Sequence, residues 1–159
     1  MEIKKHIGIY GVCFEQNKLL CIKKNSGPYR GRFDLPGGSP KKDEGLTETL
    51  KREILEETGY YLSAYRNSRV YDAFVKERES NYIVHHIMII YDIDRNITIQ
   101  QRELSKFVDN ELNDSEAEVW VDLEEINLEN SSPLILKIKK ELLGEISLDT
   151  DVYNDWITK

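Results

Sequence analysis

The segment 38–59 constrains this chain more than any other: a glycine turn leads into a run of helix-forming residues, which a second glycine closes. Leu, Glu, Lys and Arg dominate residues 46–58 and lose little side-chain freedom in a helix, while Gly59 stands where a helix end calls for a left-handed residue. The spacing predicts a helix over 46–58. At about 100° per residue, Glu56 and Glu57 fall within an arc of about 100° that begins at Glu53. Like charges so placed repel one another, and they gather near the helix C-terminus, where the macrodipole disfavours anions. A hard divalent cation offsets both effects, because Mg²⁺ and Mn²⁺ prefer carboxylate and water oxygens. The ordinary fate of a glutamate-rich helix face is hydration. Three neighbours set this face apart: the glycine turn before it, a further carboxylate at Glu44, and Arg52, placed to hold a carboxylate by a charge-assisted bond.

The rest of the chain reads as strands around this helix. Residues 7–14 alternate small or polar with apolar side chains, Glu15, Gln16 and Asn17 make a turn, and 18–22 return, which predicts a hairpin. A short strand at 33–35 is stopped by Pro36, Gly37 and Gly38. β-Branched and aromatic residues predict strands at 70–75, 82–93 and 118–121. A second helix is expected at 134–143, with Leu134, Ile135, Ile138 and Leu142 inward and Lys137, Lys139 and Lys140 toward water. The order implies an α/β fold with a sheet covered by helices, in one domain over 1–159. In the tail, 147–159, Val152, Tyr153, Trp156 and Ile157 are expected to pack against the body.

The segment 38–60 also resembles the signature of the Nudix hydrolase family, whose members include MutT-like enzymes. Gly38, Glu44, Arg52, Glu53, Ile54, Glu56, Glu57 and Gly59 stand at the signature's spacing, and Tyr60 replaces the usual closing aliphatic residue. Phe33 stands where an indole is more usual, and Asp43 where many members have glycine. The resemblance implies a Nudix fold, with a mixed β-sheet sandwiched between α-helices, and Mg²⁺, with Mn²⁺ as an alternative, held by Glu53, Glu56 and Glu57, often with the Gly38 carbonyl, while Glu44 supports the cluster. Glu53 and Glu56 are the catalytic carboxylates it implies, with Arg52 orienting them. The implied reaction is attack of water on phosphorus in a nucleoside diphosphate linked to another moiety, with a free nucleotide the preferred substrate. Two other readings of the scaffold are a nucleotide sensor that does not cut and an isoprenoid diphosphate isomerase.

A formal net charge of -7 argues against a protein that binds duplex nucleic acid through a dense Lys/Arg surface. An acidic chain that handles phosphate needs a cation between them. Cys13 and Cys21 lie in apolar runs and read as buried free thiols. No apolar run approaches the roughly 20 residues that span a bilayer, and a cytoplasmic location is expected. The sequence is compatible with a monomer or a homodimer.

Weaker candidates surround the segment. Arg30 and Arg32 offer forks for substrate phosphate, or are a solvated pair. Glu116 and Glu118, after the loop-like stretch that includes Asn113 and Asp114, are candidate substrate-side residues and general bases. His85 and His86 should point to opposite faces of a strand, and a packing or hydrogen-bonding role is favoured for them. Tyr10, Tyr29, Tyr71 and Tyr82 are candidates to stack on a base, with packing their more ordinary role.

Overall fold

The computed structural model describes residues 1–96, 115–145 and 147–159. In chain order its elements are β1 (Glu2–Val12), β2 (Phe14–Glu15), β3 (Lys18–Lys24), β4 (Phe33–Asp34), β5 (Gly37–Gly38), α1 (Leu46–Thr58), β6 (Tyr61–Glu77), β7 (Tyr82–Asn96), β8 (Ser115–Asp122), α2 (Pro133–Leu142) and β9 (Asp151–Trp156). A five-stranded sheet runs β5-β1-β7-β6-β9, and a second sheet runs β2-β3-β4 with β8 on the other side of β3. β1 is parallel to β7 and β9 is parallel to β6, while the other pairings are antiparallel, so the expected mixed character holds.

Period-2 alternation sorts the core into two layers. Ile9 and Leu20 pack with Leu50 and Ile54 of α1. Their strand neighbours Tyr10, Leu19 and Cys21 face the other way, toward Leu134, Ile135 and Ile138 of α2. The strands therefore lie between the two helices. Cys13 and Cys21 are buried and free, as expected.

α1 has the bounds its sequence predicts. Gly59 closes it at φ 79°, donating its N–H to the Leu55 carbonyl at 3.0 Å. Ser132 caps α2, its hydroxyl accepting from the Ile135 N–H at 3.3 Å, and Pro133 occupies the first turn, where its missing N–H costs nothing.

Three expectations are corrected. The turn at Gln16 and Asn17 forms, with φ 52° and 62° as a tight hairpin requires, but it joins only β2 to β3. β1 breaks off before Cys13 and takes β7 as a partner in the other sheet, a distant pairing with no local signal. Gly37 and Gly38 do not simply stop a strand; they form β5 on the edge of β1. A Cβ at Gly37 would stand 2.1 Å from the Ile9 carbonyl oxygen, so only glycine allows this approach. Lys137 does not face water: it is 3% exposed, and its ammonium lies 3.2 Å from the Asp149 carbonyl and 3.4 Å from the Asp151 carboxylate. The reason is the tail, which packs over this face of α2 with β9 on β6; of the four side chains expected to pack, Trp156 is buried and Tyr153 half-buried, whereas Val152 and Ile157 are exposed. Lys139 likewise turns inward to the Ile126 carbonyl at 2.7 Å.

Candidate functional site

The site begins where β5 passes the C-terminal half of α1. The Gly37 N–H donates to Glu57 Oε1 at 2.7 Å. A Cβ at Gly38 would meet the Glu53 carboxyl carbon at 2.8 Å, so the bare backbone of glycine lets that carboxylate lie against the loop. Arg52 grips Glu44 with both arms of its fork, Nε to Oε2 at 2.6 Å and Nη2 to Oε1 at 2.8 Å. Its Nη1 donates to Glu53 Oε1 at 2.9 Å and to Glu56 Oε2 at 3.3 Å, and Nη2 also reaches the Ser39 carbonyl at 3.2 Å. Glu44 receives two further bonds, from the Lys41 N–H at 2.9 Å and the Thr49 hydroxyl at 3.0 Å. The Arg52 bond, with help from these donors, holds the Glu44 carboxyl down at about 2. Glu44 in turn pushes the Arg52 guanidinium upward. One guanidinium thus ties three carboxylates into fixed positions, and a fourth is pinned to the loop backbone.

These oxygens are the hard donors that Mg²⁺ or Mn²⁺ would take, and four carboxylates against one guanidinium leave an anionic balance that suits a cation. Among the described residues, no three His, Cys, Asp or Glu side chains stand gathered as a metal site. Arg52 holds oxygens of Glu53 and Glu56, and the Gly37 N–H holds one of Glu57.

Glu53, Glu56, Glu57 and Arg52 form one wall of a cleft of about 520 Å³. The floor is a stripe of alternate side chains, Lys4, His6 and Tyr10 from β1 with Tyr82, Val84 and His86 from β7; in the parallel register Lys4 pairs with Val84 and His6 with His86. Lys24, Pro28 and Tyr29, from the end of β3 and the loop after it, form the opposite side. Lys4 sits over the Tyr82 ring at 4.0 Å. Buried His86 bridges two phenols, Nε2 to the Tyr10 hydroxyl and Nδ1 to the Tyr29 hydroxyl, both at 2.8 Å. Burial first, and then nearby His6, Lys24 and His85, lower its pKa to about 3.

A carboxylate helix beside a glycine loop, set over a cleft in a mixed sheet, is the arrangement the resemblance implied, and a NUDIX domain profile matches residues 4–142. The chain belongs to the NUDIX family. Among curated relatives it is similar to an ADP-ribose pyrophosphatase of Methanocaldococcus jannaschii, 42% identical over 53 residues, 33% of this chain and 31% of that protein. It is also similar to an 8-oxo-dGTP diphosphatase of Buchnera aphidicola subsp. Schizaphis graminum, 33% identical over 70 residues, 43% of this chain and 54% of that protein. The matched stretches thus span about a third and about half of the relatives' lengths. Among solved structures, a NUDIX hydrolase from Nitrosomonas europaea aligns at a TM-score of 0.62 and 17% identity, covering 89% of this chain and 91% of that one. The NUDIX domain of Shewanella oneidensis NrtR, complexed with ADP-ribose, aligns at 0.60 and 16%, covering 90% and 89%. At such identities the structural likeness is one of fold.

Within this NUDIX fold the candidates named from sequence part company. Glu53, Glu56, Glu57, Arg52 and Gly38 all border the cleft, whereas Glu44 stands behind Arg52, outside the lining. Arg30 is exposed and does not line the cleft. The reading of Arg32 as a substrate contact is corrected: it is 3% exposed, donates to the Ser131 and Ile157 carbonyls at 3.1 and 2.7 Å, and lies 4.0 Å over Trp156. It fastens the C-terminal tail to the body, and the attraction of the buried Trp156 ring and these carbonyls for a guanidinium explains why it turned inward. Glu118 lies in β8 opposite Ile22 and does not line the cleft. Glu116 also belongs to β8, while Asn113 and Asp114 fall outside the described residues. His85 and His86 do point to opposite faces: His85 bonds Asp72 at 2.7 Å and stacks on Phe74 at 4.1 Å. Tyr10, Tyr29 and Tyr82 line the cleft, but Tyr71 bonds Glu141 at 2.5 Å instead. Sequence reasoning left Lys4, Lys24 and His6 without a role; the alternation of Lys4, His6 and Tyr10 along one strand was the signal that could have grouped two of them.

Proposed function

We propose that this NUDIX chain is a hydrolase that cleaves the diphosphate linkage of a free nucleotide derivative in a reaction dependent on Mg²⁺ or Mn²⁺. The observation that carries the reading is the alignment of Glu53, Glu56 and Glu57 along one wall of the cleft, with Arg52 shared between Glu53 and Glu56 and the Gly37 N–H bonded to Glu57. In this reading Glu53, Glu56, Glu57 and the Gly38 carbonyl hold the metal. When bound, the metal neutralises phosphate charge and acidifies a water. The protein's own groups do the rest. Glu53 or Glu56 takes the proton of the attacking water, and Arg52 fixes the direction from which that carboxylate reaches it. Glu44 holds Arg52. Attack at phosphorus breaks one P–O bond of the anhydride, so the products are two phosphate-bearing fragments with no covalent intermediate.

The cleft suits a substrate with a nucleoside beyond the diphosphate. Gly38 lies beside Ile9 on β1 and Lys4 marks the other end. The five steps from Lys4 to Ile9, at about 3.3 Å each, give a floor of roughly 17 Å. The two curated relatives act, by their names, on ADP-ribose and 8-oxo-dGTP. The test is a release assay at mildly alkaline pH across ADP-ribose, 8-oxo-dGTP, nucleoside triphosphates and nucleotide sugars, with and without Mg²⁺ or Mn²⁺. Metal-dependent release from one class is the expected result. Tight nucleotide binding with no release from any class would replace this reading with a sensor.

A further inference from the structure

The cleft floor contains a hydrogen-bonded chain that holding a metal does not require. Tyr10 comes from β1, Tyr29 from the loop after β3 and His86 from β7; all three line the cleft, and both phenols end on the one imidazole. The arrangement is built, because a Cβ at Gly8 would stand 2.2 Å from the Tyr10 hydroxyl oxygen. Only glycine at that position lets the Tyr10 ring fold back along its own strand to reach His86. Tyr29 is fixed by stacking on His86 at 5.7 Å with an 18° interplanar angle, and by an edge contact with Trp156 at 5.9 Å.

Hydrogen counting shows what such a chain offers. A neutral imidazole carries one N–H and one acceptor nitrogen, and each phenol carries one O–H. Two bonds join the three groups, so of three hydrogens one is unused. The imidazole N–H can serve only one tyrosine; the other tyrosine must donate. The tyrosine that accepts keeps its own hydrogen, directed away from the imidazole, while the donating tyrosine has only lone pairs left. Burial keeps His86 neutral and both phenols protonated. Among the described residues, His86 is the only hydrogen-bond partner of either hydroxyl. The chain therefore ends, inside the cleft, in one donor and one acceptor, both uncharged.

We propose that the Tyr10–His86–Tyr29 chain is a specificity element that recognises the uncharged nucleoside portion of the substrate, giving one hydroxyl hydrogen to an acceptor atom and accepting from a neighbouring donor. The proposal rests on the nucleotide reading above. It divides the cleft: phosphates belong at the charged wall of Arg52 and Lys41, and the polar edge of a sugar or base belongs on the neutral floor. The His86 tautomer decides which tyrosine is the donor.

Tyr10→Phe and Tyr29→Phe each remove one hydroxyl and leave the ring. Steady-state kinetics on the nucleotide the wild type cleaves should show KM raised about tenfold in at least one of them, with a much smaller change in kcat, as the loss of a single neutral hydrogen bond gives. His86→Gln, which can still donate and accept, should bind closer to wild type than His86→Leu. The imidazole ¹⁵N spectrum of His86 at pH 7 should show one protonated nitrogen, perturbed when ADP-ribose is added to an inactive Glu57→Gln variant. Unchanged KM in both phenylalanine variants, with only a lowered melting temperature, would reduce the chain to packing and overturn the proposal while leaving hydrolysis intact. Weaker calorimetric binding in these variants, in a protein that cleaves nothing, would keep the proposal and overturn hydrolysis. Failure to bind any nucleotide of the panel would overturn both.

Discussion

The α1 wall of the cleft holds charge, with Arg52 shared among Glu44, Glu53 and Glu56, whereas the β1–β7 floor holds a neutral imidazole between two phenols. The wall stays in contact with water: its Glu53 and Glu56 side chains are each 16% exposed. The floor is part of the core, with His86 1% exposed. Hydration lets like charges be held together and keeps them available to a cation, and a guanidinium fork sets their directions. Burial excludes charge unless it is paired, so the buried Tyr10, His86 and Tyr29 are neutral and bonded to each other, with Lys4 left at the open end of the floor. The same cleft thus presents a charged side suited to phosphate and an uncharged side suited to a nucleoside. Substitutions in the wall should act on rate, and substitutions in the floor on binding and stability.

The sharpest way to break this contrast is Glu57→Gln. The amide keeps an oxygen for the Gly37 N–H, so the melting temperature should hold, yet turnover should fall roughly 1,000-fold if a metal-site carboxylate is lost. Retained turnover would take Glu57 out of the chemistry and leave the wall a mere charged surface. Arg52→Lys is expected to cost about 10- to 100-fold in rate, because an ammonium cannot reproduce the fork that sets three carboxylates at once. The same variant can be read in stability. Glu44 is depressed from 4.5 to about 2, first by the Arg52 bond, so its ionised form stabilises the fold above pH 4.5 and that contribution is lost as pH falls toward 2. Acid unfolding of Arg52→Lys should lack part of this loss, and urea midpoints measured between those pH values check it.

What the sequence revealed follows the same division. The wall is local: Glu53, Glu56, Glu57, Arg52 and Gly38 fall in one helix and the loop that precedes it, where fixed spacing translates directly into a shared face. Helix bounds, cap and carboxylate alignment were therefore legible, as were the existence of β6 and β7 and the sandwich of sheet between helices. The floor is non-local. Tyr10, Tyr29 and His86 meet only because β1 runs parallel to β7 and a loop folds over both, and parallel pairing leaves no turn signature between its partners. For the same reason Arg32 looked like a free phosphate ligand, when Trp156 at the far end of the chain had already claimed it. Lys137 looked solvated for want of knowing where Asp151 would land.

The last of the expected effects concerns the floor, and it tests its neutrality directly. His86 titrates at about 3 in the folded protein against 6.5 for an unperturbed histidine, with desolvation the main cause and His6, Lys24 and His85 adding to it. A depressed folded pKa means that the unfolded chain takes up the proton first. The stabilisation from neutral His86 is therefore complete above pH 6.5, declines as pH falls from 6.5 to about 3, and is lost below that. The decline should be at most about 1.4 kcal/mol per pH unit. His86→Gln removes this titration while keeping a donor and an acceptor for the two tyrosines. The difference between wild-type and variant unfolding free energies, measured by urea titration from pH 7 to pH 4, cancels most other carboxylate effects and isolates the slope. A wild-type slope larger than the variant's confirms an imidazole sealed from water. Equal slopes would mean that His86 is protonated on both sides of folding, which leaves both tyrosine hydrogens unused and makes the floor a cationic surface like the lysines at its end.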